Sequence, residues 1–122
     1  MSRTYSFFVI DDDEDTVVTL AADLRAKGHQ VEGFSKIAPF FNNFRISLPD
    51  AALVDMVNIE MPGWQICRKI RNTMGLQTVK IIAVSGVLDD EDVGRMNVEA
   101  DAFIAKPFNA DDVEKAMAKL IK

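Results

Sequence analysis

The sequence predicts an α/β fold, a single domain built on a doubly wound, five-stranded parallel sheet. Short apolar, β-branched or aromatic runs alternate along the chain with segments whose apolar residues recur at helical spacing. That alternation is typical of a parallel sheet with helices on both faces. The chain has 122 residues, 48% of them hydrophobic, so residues 1–122 can form one core without room for a second domain. Strands are expected at 5–11, 30–34, 51–55, 80–85 and 102–105.

The first two helices are predicted from helical spacing and from residues that stop or distort a helix. The first, at about 14–27, is expected to end at Gly28, since glycine commonly follows the last helical residue. The second, near 36–44, contains Pro39. Because proline fits only the first turn of a helix, we expect this helix to start late or to be distorted.

Three further helices complete the alternation. The third is expected to begin near Gly63, and the fourth is a short polar segment at about 89–97. The fifth begins after Asn109, whose side chain can cap the free amides of the first turn, and runs to the end of the chain. Five strand–helix units result.

The acidic net charge is concentrated in one segment. Of the 19 acids behind the formal net charge of −5, five lie at positions 11–15, which leaves 14 acids against 14 bases elsewhere. Without a cluster of basic residues, the chain lacks the electrostatic attraction that supplies most non-specific affinity for nucleic acids. Direct nucleic-acid binding is therefore not expected.

Cysteine, histidine and hydropathy exclude several other roles. Cys67 has no partner for a disulfide, and we expect it to act as a small, partly buried apolar residue. No stretch is apolar for the roughly 18 residues of a membrane span, and no signal peptide is recognisable, so we expect a cytoplasmic protein without a membrane anchor. His29, the only histidine, follows Gly28 in a predicted turn, so we expect it to be exposed and not to serve as a phosphohistidine.

Four of the apolar runs end on polar residues. FFVI is followed by Asp11 and Asp12, AALV by Asp55, IIAV by Ser85 and AFIA by Lys106. Parallel strands bring their carboxyl ends to one edge of the sheet, where open α/β folds bind ligands. Carboxylates, a hydroxyl and an ammonium group are expected to converge there, which is typical of a phosphoryl-transfer site with a metal ion.

The carboxylates of this edge suit magnesium. Mg²⁺ prefers oxygen ligands in octahedral geometry and is commonly held by one or two carboxylates, water and a phosphate oxygen. Asp12 and Asp55, with Asp11 behind them, can supply these ligands. Their mutual repulsion raises their proton affinity until a cation relieves it, so we expect weak, pH-dependent Mg²⁺ binding.

Asp55 is the candidate nucleophile. An aspartate can attack phosphorus to give an acyl phosphate, and Asp55 alone ends the central predicted strand. Mg²⁺, Lys106 and the Ser85 hydroxyl would stabilise the charge on the phosphoryl oxygens. Gly86, beside Ser85, leaves space for the phosphoryl group and offers it a backbone amide.

The chain as a whole resembles a response-regulator receiver domain, the phosphoacceptor module of two-component signalling. The resemblance is carried by the stretches VIDDDED (9–15), PDAALVD (49–55), GWQICRKIR (63–71), KIIAVSG (80–86) and EADAFIAKPF (99–108). It implies a flavodoxin-like (βα)5 fold with strand order 2-1-3-4-5 and a Mg²⁺ cofactor. It also implies a histidine kinase or phosphotransfer protein as phosphodonor. A downstream effector protein or output domain would then respond to the face formed by the fourth helix, fifth strand and fifth helix.

The resemblance implies a role for each metal and phosphoryl residue. Asp12 would bind Mg²⁺ directly, Asp11 would act mostly through water, and the backbone carbonyl of Val57 would be a further ligand. Asp55 is the implied phosphoacceptor and a metal ligand. Lys106 would pair with the phosphoryl group.

Three more positions form the implied switch. Ser85 would be the hydroxyl that moves to the phosphoryl group, and Phe103 the aromatic residue that rotates inward once Ser85 has moved. The bond between Lys106 and Pro107 resembles the family's cis peptide, which directs the lysine inward; an X-Pro bond makes the cis form accessible at about 0.5–1 kcal/mol.

The loop after the third strand departs from the family pattern. Receivers commonly have proline four residues after the acceptor, where this chain has Ile59, and its proline comes at Pro62. An alternative register, with IEMPG as the usual motif, would put Asn58 at the acceptor position. We reject it because PDAALVD and GWQICRKIR both fit without a gap only when Asp55 is the acceptor.

Two valines predict a long-lived phosphoryl group. The positions two residues after the acceptor and two after the switch hydroxyl help to set phosphoryl lifetime in this family, and here they are Val57 and Val87. Neither side chain can orient a water for attack on the acyl phosphate. We therefore expect self-dephosphorylation over minutes to hours, an order-of-magnitude expectation from losing general-base assistance of about 10²–10⁴-fold.

Other interpretations fit less well. A calcium loop is suggested by acids at 11, 13 and 15 but fails at Thr16 and Ala22, where glycine and glutamate are needed. A phosphatase of the haloacid dehalogenase type also uses a nucleophilic aspartate and Mg²⁺, but its D-x-D-x-T/V motif is only approximated here. A receiver-like scaffold that binds partners without phosphorylation is a third function. The acidic fourth helix, which contains Gly94, predicts a monomer or weak homodimer.

Overall fold

The computed structural model describes residues 3–58, 60–86 and 100–121. Strands and helices alternate in these ranges as β1 Ser6–Ile10, α1 Glu14–Ala26, β2 Gln30–Phe34, α2 Ile37–Asn43, β3 Ala51–Asp55, α3 Gly63–Asn72, β4 Lys80–Ser85, β5 Ala102–Ala105 and α4 Ala110–Leu120. All strands pair in parallel in the order β2-β1-β3-β4-β5, which confirms the predicted fold class and strand order. The helix predicted at 89–97 lies outside the described residues. None of the described helices is long and apolar enough to cross a membrane.

Two cores lie on opposite faces of the sheet because successive residues of a strand point to opposite sides. Phe8 and Ile10 of β1 belong to the core on one side, which includes residues of α2 and α3, among them the fully buried Cys67. Phe7 and Val9 belong to the core on the other side, with residues of α1 and α4. The central strand β3 is buried along its whole length. Because helices cover both faces of the sheet, the residues on both sides of the inner strands β1, β3 and β4 are apolar, and each of these strands contains an uninterrupted apolar run in the sequence.

The helix ends follow the predicted signals. Asp13 caps α1 by accepting a hydrogen bond from a backbone N–H of the first turn, and Gly28 turns the chain after α1 with φ of +95°. Asn109 caps α4 in the same way as part of a capping box. Helix α2 starts at Ile37, which places Pro39 in its first turn. The caps at Asp13 and Asn109 place the first turns of α1 and α4 just after β1 and β5, at the carboxyl edge of the sheet.

His29 is buried, so the prediction that it is exposed was wrong; its exposed fraction is 4%. Its Nδ1 accepts a hydrogen bond from the N–H of Tyr5 (3.0 Å), and its Nε2 lies 2.8 Å from Oε2 of Glu114 in α4. The rings of Tyr5 and Phe7 pack against the imidazole, with centroids 5.6 and 5.3 Å away. Only the turn after Gly28 is visible in the sequence, whereas the closure of β1 and α4 over His29 is a tertiary effect.

Removing this histidine is expected to destabilise the fold. In His29→Ala the N–H of Tyr5 loses its acceptor and the aromatic cluster loses a ring, so the free energy of unfolding should fall by about 2–4 kcal/mol. Glu114→Gln is the matched control, because its amide oxygen can still accept from Nε2, and its cost should stay below about 1 kcal/mol. Urea denaturation measures both values. Equal losses in the two variants would contradict the assignment of His29 as a buried link between β1 and α4.

Candidate functional site

The structure brings the sequence-predicted polar residues to one edge of the sheet. Asp11 and Asp12 follow β1, Asp55 ends β3, Ser85 ends β4 and Lys106 follows β5. The strand register aligns these ends, because Ile10 pairs with Val54, Asp55 with Val84, and Ser85 with Ala105. Parallel pairing of four apolar strands therefore places three carboxylates, a hydroxyl and an ammonium group side by side.

The three carboxylates are close enough to share a metal ion. One carboxylate oxygen each of Asp11, Asp12 and Asp55 lies within 4.8 Å of the others. Asp11 and Asp55 are buried, and Asp12 is partly exposed. Oxygen-only donors at the end of a sheet suit a hard cation such as Mg²⁺, which keeps several water ligands and therefore needs access to solvent. The donor set fits the predicted cofactor.

Lys106 joins two of the carboxylates. Its Nζ lies 3.0 Å from Oδ2 of Asp11 and 3.3 Å from Oδ1 of Asp55. Burial lowers the pKa of Lys106, but hydrogen bonds and the charges of Asp11 and Asp55 outweigh burial and raise its pKa above the ordinary value. The Lys106–Pro107 peptide bond is cis. A permanent cation thus lies against the two buried carboxylates.

Asp11 is held from two sides. Its Oδ1 accepts a hydrogen bond from the N–H of Asp13 (2.9 Å), and its Oδ2 accepts one from Lys106 (3.0 Å). Both oxygens therefore already have a protein donor, which restricts direct metal ligation by this carboxylate. That arrangement is consistent with the implied role of Asp11 as a ligand acting through water.

Asp55 has an unusual proton affinity. Burial and the negative charge of Asp11 raise the pKa of its carboxyl to about 6, against a lowering by the charge and hydrogen bond of Lys106 and by a hydrogen bond from the backbone of Val57. A group with such a pKa is still mostly ionised at neutral pH. The repulsion predicted among the carboxylates is therefore present, and a divalent cation would relieve it.

The remaining predicted residues surround this cluster. Ser85 is buried, with 1% exposed, and its carbonyl oxygen accepts a hydrogen bond from the N–H of Lys106 (2.8 Å). A Cβ built at Gly86 would meet, among the described residues, only Cβ of Lys106 within 4 Å, at 3.9 Å. Phe103 is partly buried against the core that contains α2 and α3. The side chain of Val57 is 70% exposed.

Val87 lies outside the described residues, so its place relative to Asp55 stays a prediction. Pro107 lines a groove of about 530 Å³ between α1 and the segment after β5. Lys106 also lines this groove, whose other residues are Asp15, Thr16, Thr19, Leu20, Asp23 and Phe108. Because Nζ of Lys106 contacts Asp11 and Asp55, the groove borders the carboxylate cluster.

Sequence reasoning missed two residues that shape the site. The sequence predicts Gly63 only as the start of the third helix. In the structure, a Cβ at this position would lie 2.5 Å from Cα of Met56 and 2.7 Å from the carbonyl oxygen of Asp55. The side-chain amide of Asn58 donates to the same carbonyl oxygen of Asp55 (2.5 Å). A glycine at a helix start, eight residues after a strand-end aspartate, is a possible signal for the first. Nothing in the sequence marks the second.

Comparison with known proteins points to one family. The family model for the response regulator receiver domain matches residues 7–118. The transcriptional regulatory protein CseB of Streptomyces coelicolor is 33% identical over 111 residues, which are 88% of this chain and 44% of CseB. The transcriptional regulatory protein CreB of Escherichia coli is 24% identical over 115 residues, which are 94% of this chain and 50% of CreB. This chain thus spans about half the length of the curated relatives that it matches.

The fold is also found among solved structures. The signal receiver domain of a DNA-binding response regulator from Colwellia psychrerythraea superposes with a TM-score of 0.85 at 24% identity. The superposition covers 96% of this chain and 98% of that one. Likeness at this level of identity concerns the fold, and it agrees with the strand order described above.

Proposed function

Because the chain belongs to the response regulator receiver domain family, we propose that it is the phosphoacceptor switch of a two-component phosphorelay, with Asp55 as the residue that is phosphorylated. The observation that carries this proposal is the junction of Asp55 with Asp11, Asp12 and Lys106 at the carboxyl edge of the sheet. A scaffold that works without phosphorylation has no need to gather three repelling carboxylates around one lysine.

The chemistry follows from these groups. Receiver domains in general bind Mg²⁺, and an ion held by Asp12, Asp55 and the carbonyl of Val57 would neutralise charge on the phosphoryl oxygens. An oxygen of Asp55 forms the new bond to phosphorus while the bond from phosphorus to the donor's histidine nitrogen breaks, and the imidazole leaves with the electron pair. Lys106, already 3.3 Å from Asp55, pairs with a phosphoryl oxygen.

The conformational change then extends from the site to the protein surface. The Ser85 hydroxyl turns toward the phosphoryl group, and Phe103, whose ring lies at the margin of the core, moves into the space that this leaves. The surface around β5, α4 and the predicted helix at 89–97 changes, and with it the affinity for an effector protein or output domain. We infer no direct contact with nucleic acid or membrane, and a cytoplasmic monomer or weak homodimer.

The donor would be a histidine kinase or phosphotransfer protein. The groove beside α1 is lined by Lys106, and its lining includes the apolar residues Leu20, Pro107 and Phe108. A partner that presents phosphohistidine to Asp55 can cover this groove while its imidazole reaches the site. The position of the groove beside the site supports phosphoryl transfer from a protein donor, in addition to transfer from small phosphodonors.

One experiment separates the candidate functions. Wild-type protein and Asp55→Asn are incubated with Mg²⁺ and acetyl phosphate, and the adduct and released phosphate are followed by intact-mass spectrometry and a phosphate assay. An acid-labile adduct in the wild type alone supports the switch. Rapid, continuing release of phosphate would instead indicate a phosphatase, and a protein that forms no adduct with Mg²⁺ present would indicate a scaffold.

The phosphoryl group should be long-lived. With valine at 57 and 87, no side chain at these positions can orient a hydrolytic water, so we expect a half-life of minutes to hours in Mg²⁺ without a phosphatase. Decay of the purified adduct by mass spectrometry measures it. Val57→Asn, which restores a polar side chain beside Asp55, should shorten the half-life. A wild-type half-life of a few seconds would contradict the expectation.

A further inference from the structure

The segment 57–62 connects Asp55, at the end of β3, to α3. Its only proline is Pro62, at the end that leads into α3, so the φ angles of the residues before it are not fixed by a ring. Two of its described side chains lie outside the core, since Val57 is 70% exposed and Glu60 is exposed, whereas Met61 packs against the core that contains α2 and α3. A metal ligand on such a segment needs some other constraint to hold it in place.

Asn58 supplies one constraint. Its side-chain amide donates to the backbone carbonyl oxygen of Asp55 at 2.5 Å and closes a turn with Val57 inside it. The peptide that follows is held as well, because the N–H of Gly63 donates to the carbonyl oxygen of Met56 (2.9 Å). The backbone carbonyls of Asp55 and Met56 thus each accept a hydrogen bond from a donor further along the chain.

Glu60 supplies a second constraint. Its Oε1 accepts a hydrogen bond from the N–H of Ile37, the first residue of α2, at 3.1 Å. Lys36, which precedes α2, makes no capping hydrogen bond with its own side chain. The carboxylate of Glu60 therefore takes the place of a local cap and ties the loop to a neighbouring helix.

We propose that Asn58 and Glu60 are positioning residues that hold the loop after Asp55 in the geometry that binds Mg²⁺. Neither residue is a proposed ligand of the ion. Asn58 fixes the turn that contains Val57, whose carbonyl is the proposed backbone ligand, and Glu60 anchors the far end of the loop. This inference rests on the proposed function, since it concerns the metal site of the same receiver.

The test is a Mg²⁺ titration followed by the fluorescence of Trp64, the only tryptophan, which lies near the start of α3 close to the loop. Asn58→Ala should weaken Mg²⁺ binding about tenfold, the usual order for a residue that orients a metal ligand. Asn58→Gln, which keeps an amide donor, should recover part of the affinity. Urea denaturation in EDTA shows that each variant is folded.

Two controls separate positioning from charge and from general stability. Glu60→Gln keeps an oxygen acceptor for the N–H of Ile37 and should bind Mg²⁺ like the wild type, whereas Glu60→Ala should bind more weakly; equal losses would point to charge alone. Gln77→Ala removes the same kind of amide-to-carbonyl bond, to Thr73 at 3.2 Å, from the turn before β4 at the opposite edge of the sheet, and should leave Mg²⁺ affinity unchanged.

The outcomes distinguish this inference from the proposed function. Wild-type affinity for Mg²⁺ in both Asn58→Ala and Glu60→Ala would overturn the positioning role and leave the phosphoacceptor proposal standing. A wild-type protein that neither binds Mg²⁺ nor forms an adduct would overturn both.

Discussion

Asp55→Asn is expected to stabilise the metal-free protein at neutral pH even though it removes the proposed phosphoacceptor. The folded protein holds an ionised Asp55 beside Asp11 with a pKa raised from 3.8 to about 6. A pKa shift of this size corresponds to about 3 kcal/mol of destabilisation without screening by solvent. Water at the sheet edge screens the charges and reduces the expected gain in the free energy of unfolding to about 1–2 kcal/mol. Urea denaturation in EDTA measures it.

The stabilisation by Asp55→Asn should depend on pH, because the pKa of Asp55 is higher in the folded protein than in the unfolded chain. Between the unfolded value of 3.8 and about 6, the folded protein binds more protons at Asp55 than the unfolded chain does, so stability falls as pH rises through this window. The advantage of Asp55→Asn should therefore shrink by about 1 kcal/mol between neutral pH and about pH 5. A variant that is less stable than the wild type at every pH would contradict the raised pKa.

Magnesium should reverse the order of the two proteins. A saturating concentration of Mg²⁺ stabilises only a folded protein that binds it, by about 2.7 kcal/mol at 100 times the dissociation constant. The wild type should gain this stability, and Asp55→Asn, which lacks one of the carboxylate ligands, should gain much less. EDTA supplies the metal-free reference for both proteins.

Of the single methyl groups that could be added at the site, the one in Gly63→Ala is expected to disturb the structure most. The new Cβ would lie 2.5 Å from Cα of Met56 and 2.7 Å from the carbonyl oxygen of Asp55. Both are backbone atoms that cannot rotate away, so α3 or the end of β3 has to shift. We expect a loss of about 2–3 kcal/mol in the free energy of unfolding and weaker Mg²⁺ binding.

Gly86→Ala is the control for this prediction. In the part of the chain that the structure describes, its Cβ would meet only Cβ of Lys106, at the ordinary contact distance of 3.9 Å, so the stability should change by less than about 1 kcal/mol. Thermal or urea denaturation of the two variants in parallel measures the difference. Equal stability of Gly63→Ala and Gly86→Ala would contradict the close approach of α3 to the end of β3.

The fold class and the grouping of the site could be predicted from local patterns, whereas the strand order followed from the resemblance to receiver domains. The apolar runs ended where polar residues began, and parallel pairing alone requires Asp12, Asp55, Ser85 and Lys106 to meet at one edge. The helix ends at Gly28 and Asn109 follow from backbone conformation and capping, which are also local properties.

Contacts between distant segments could not be predicted in the same way. His29 is buried because Tyr5 and Glu114, which are 24 and 85 residues away, close over it. The bond from Glu60 to Ile37 depends on how the loop after β3 lies against α2. The bond from the Asn58 amide to the carbonyl of Asp55 depends on how the chain turns after β3, which the sequence does not specify.

The central claim is that the phosphoryl group is carried by Asp55, and the most direct test is to locate it. Protein phosphorylated with acetyl phosphate and Mg²⁺ is reduced with borohydride, which converts an aspartyl phosphate to the corresponding alcohol, and the peptides are sequenced by mass spectrometry. We expect the reduced residue at position 55 and at no other aspartate. Reduction at Asp11, Asp12 or Asp13, or at no position, would contradict the claim.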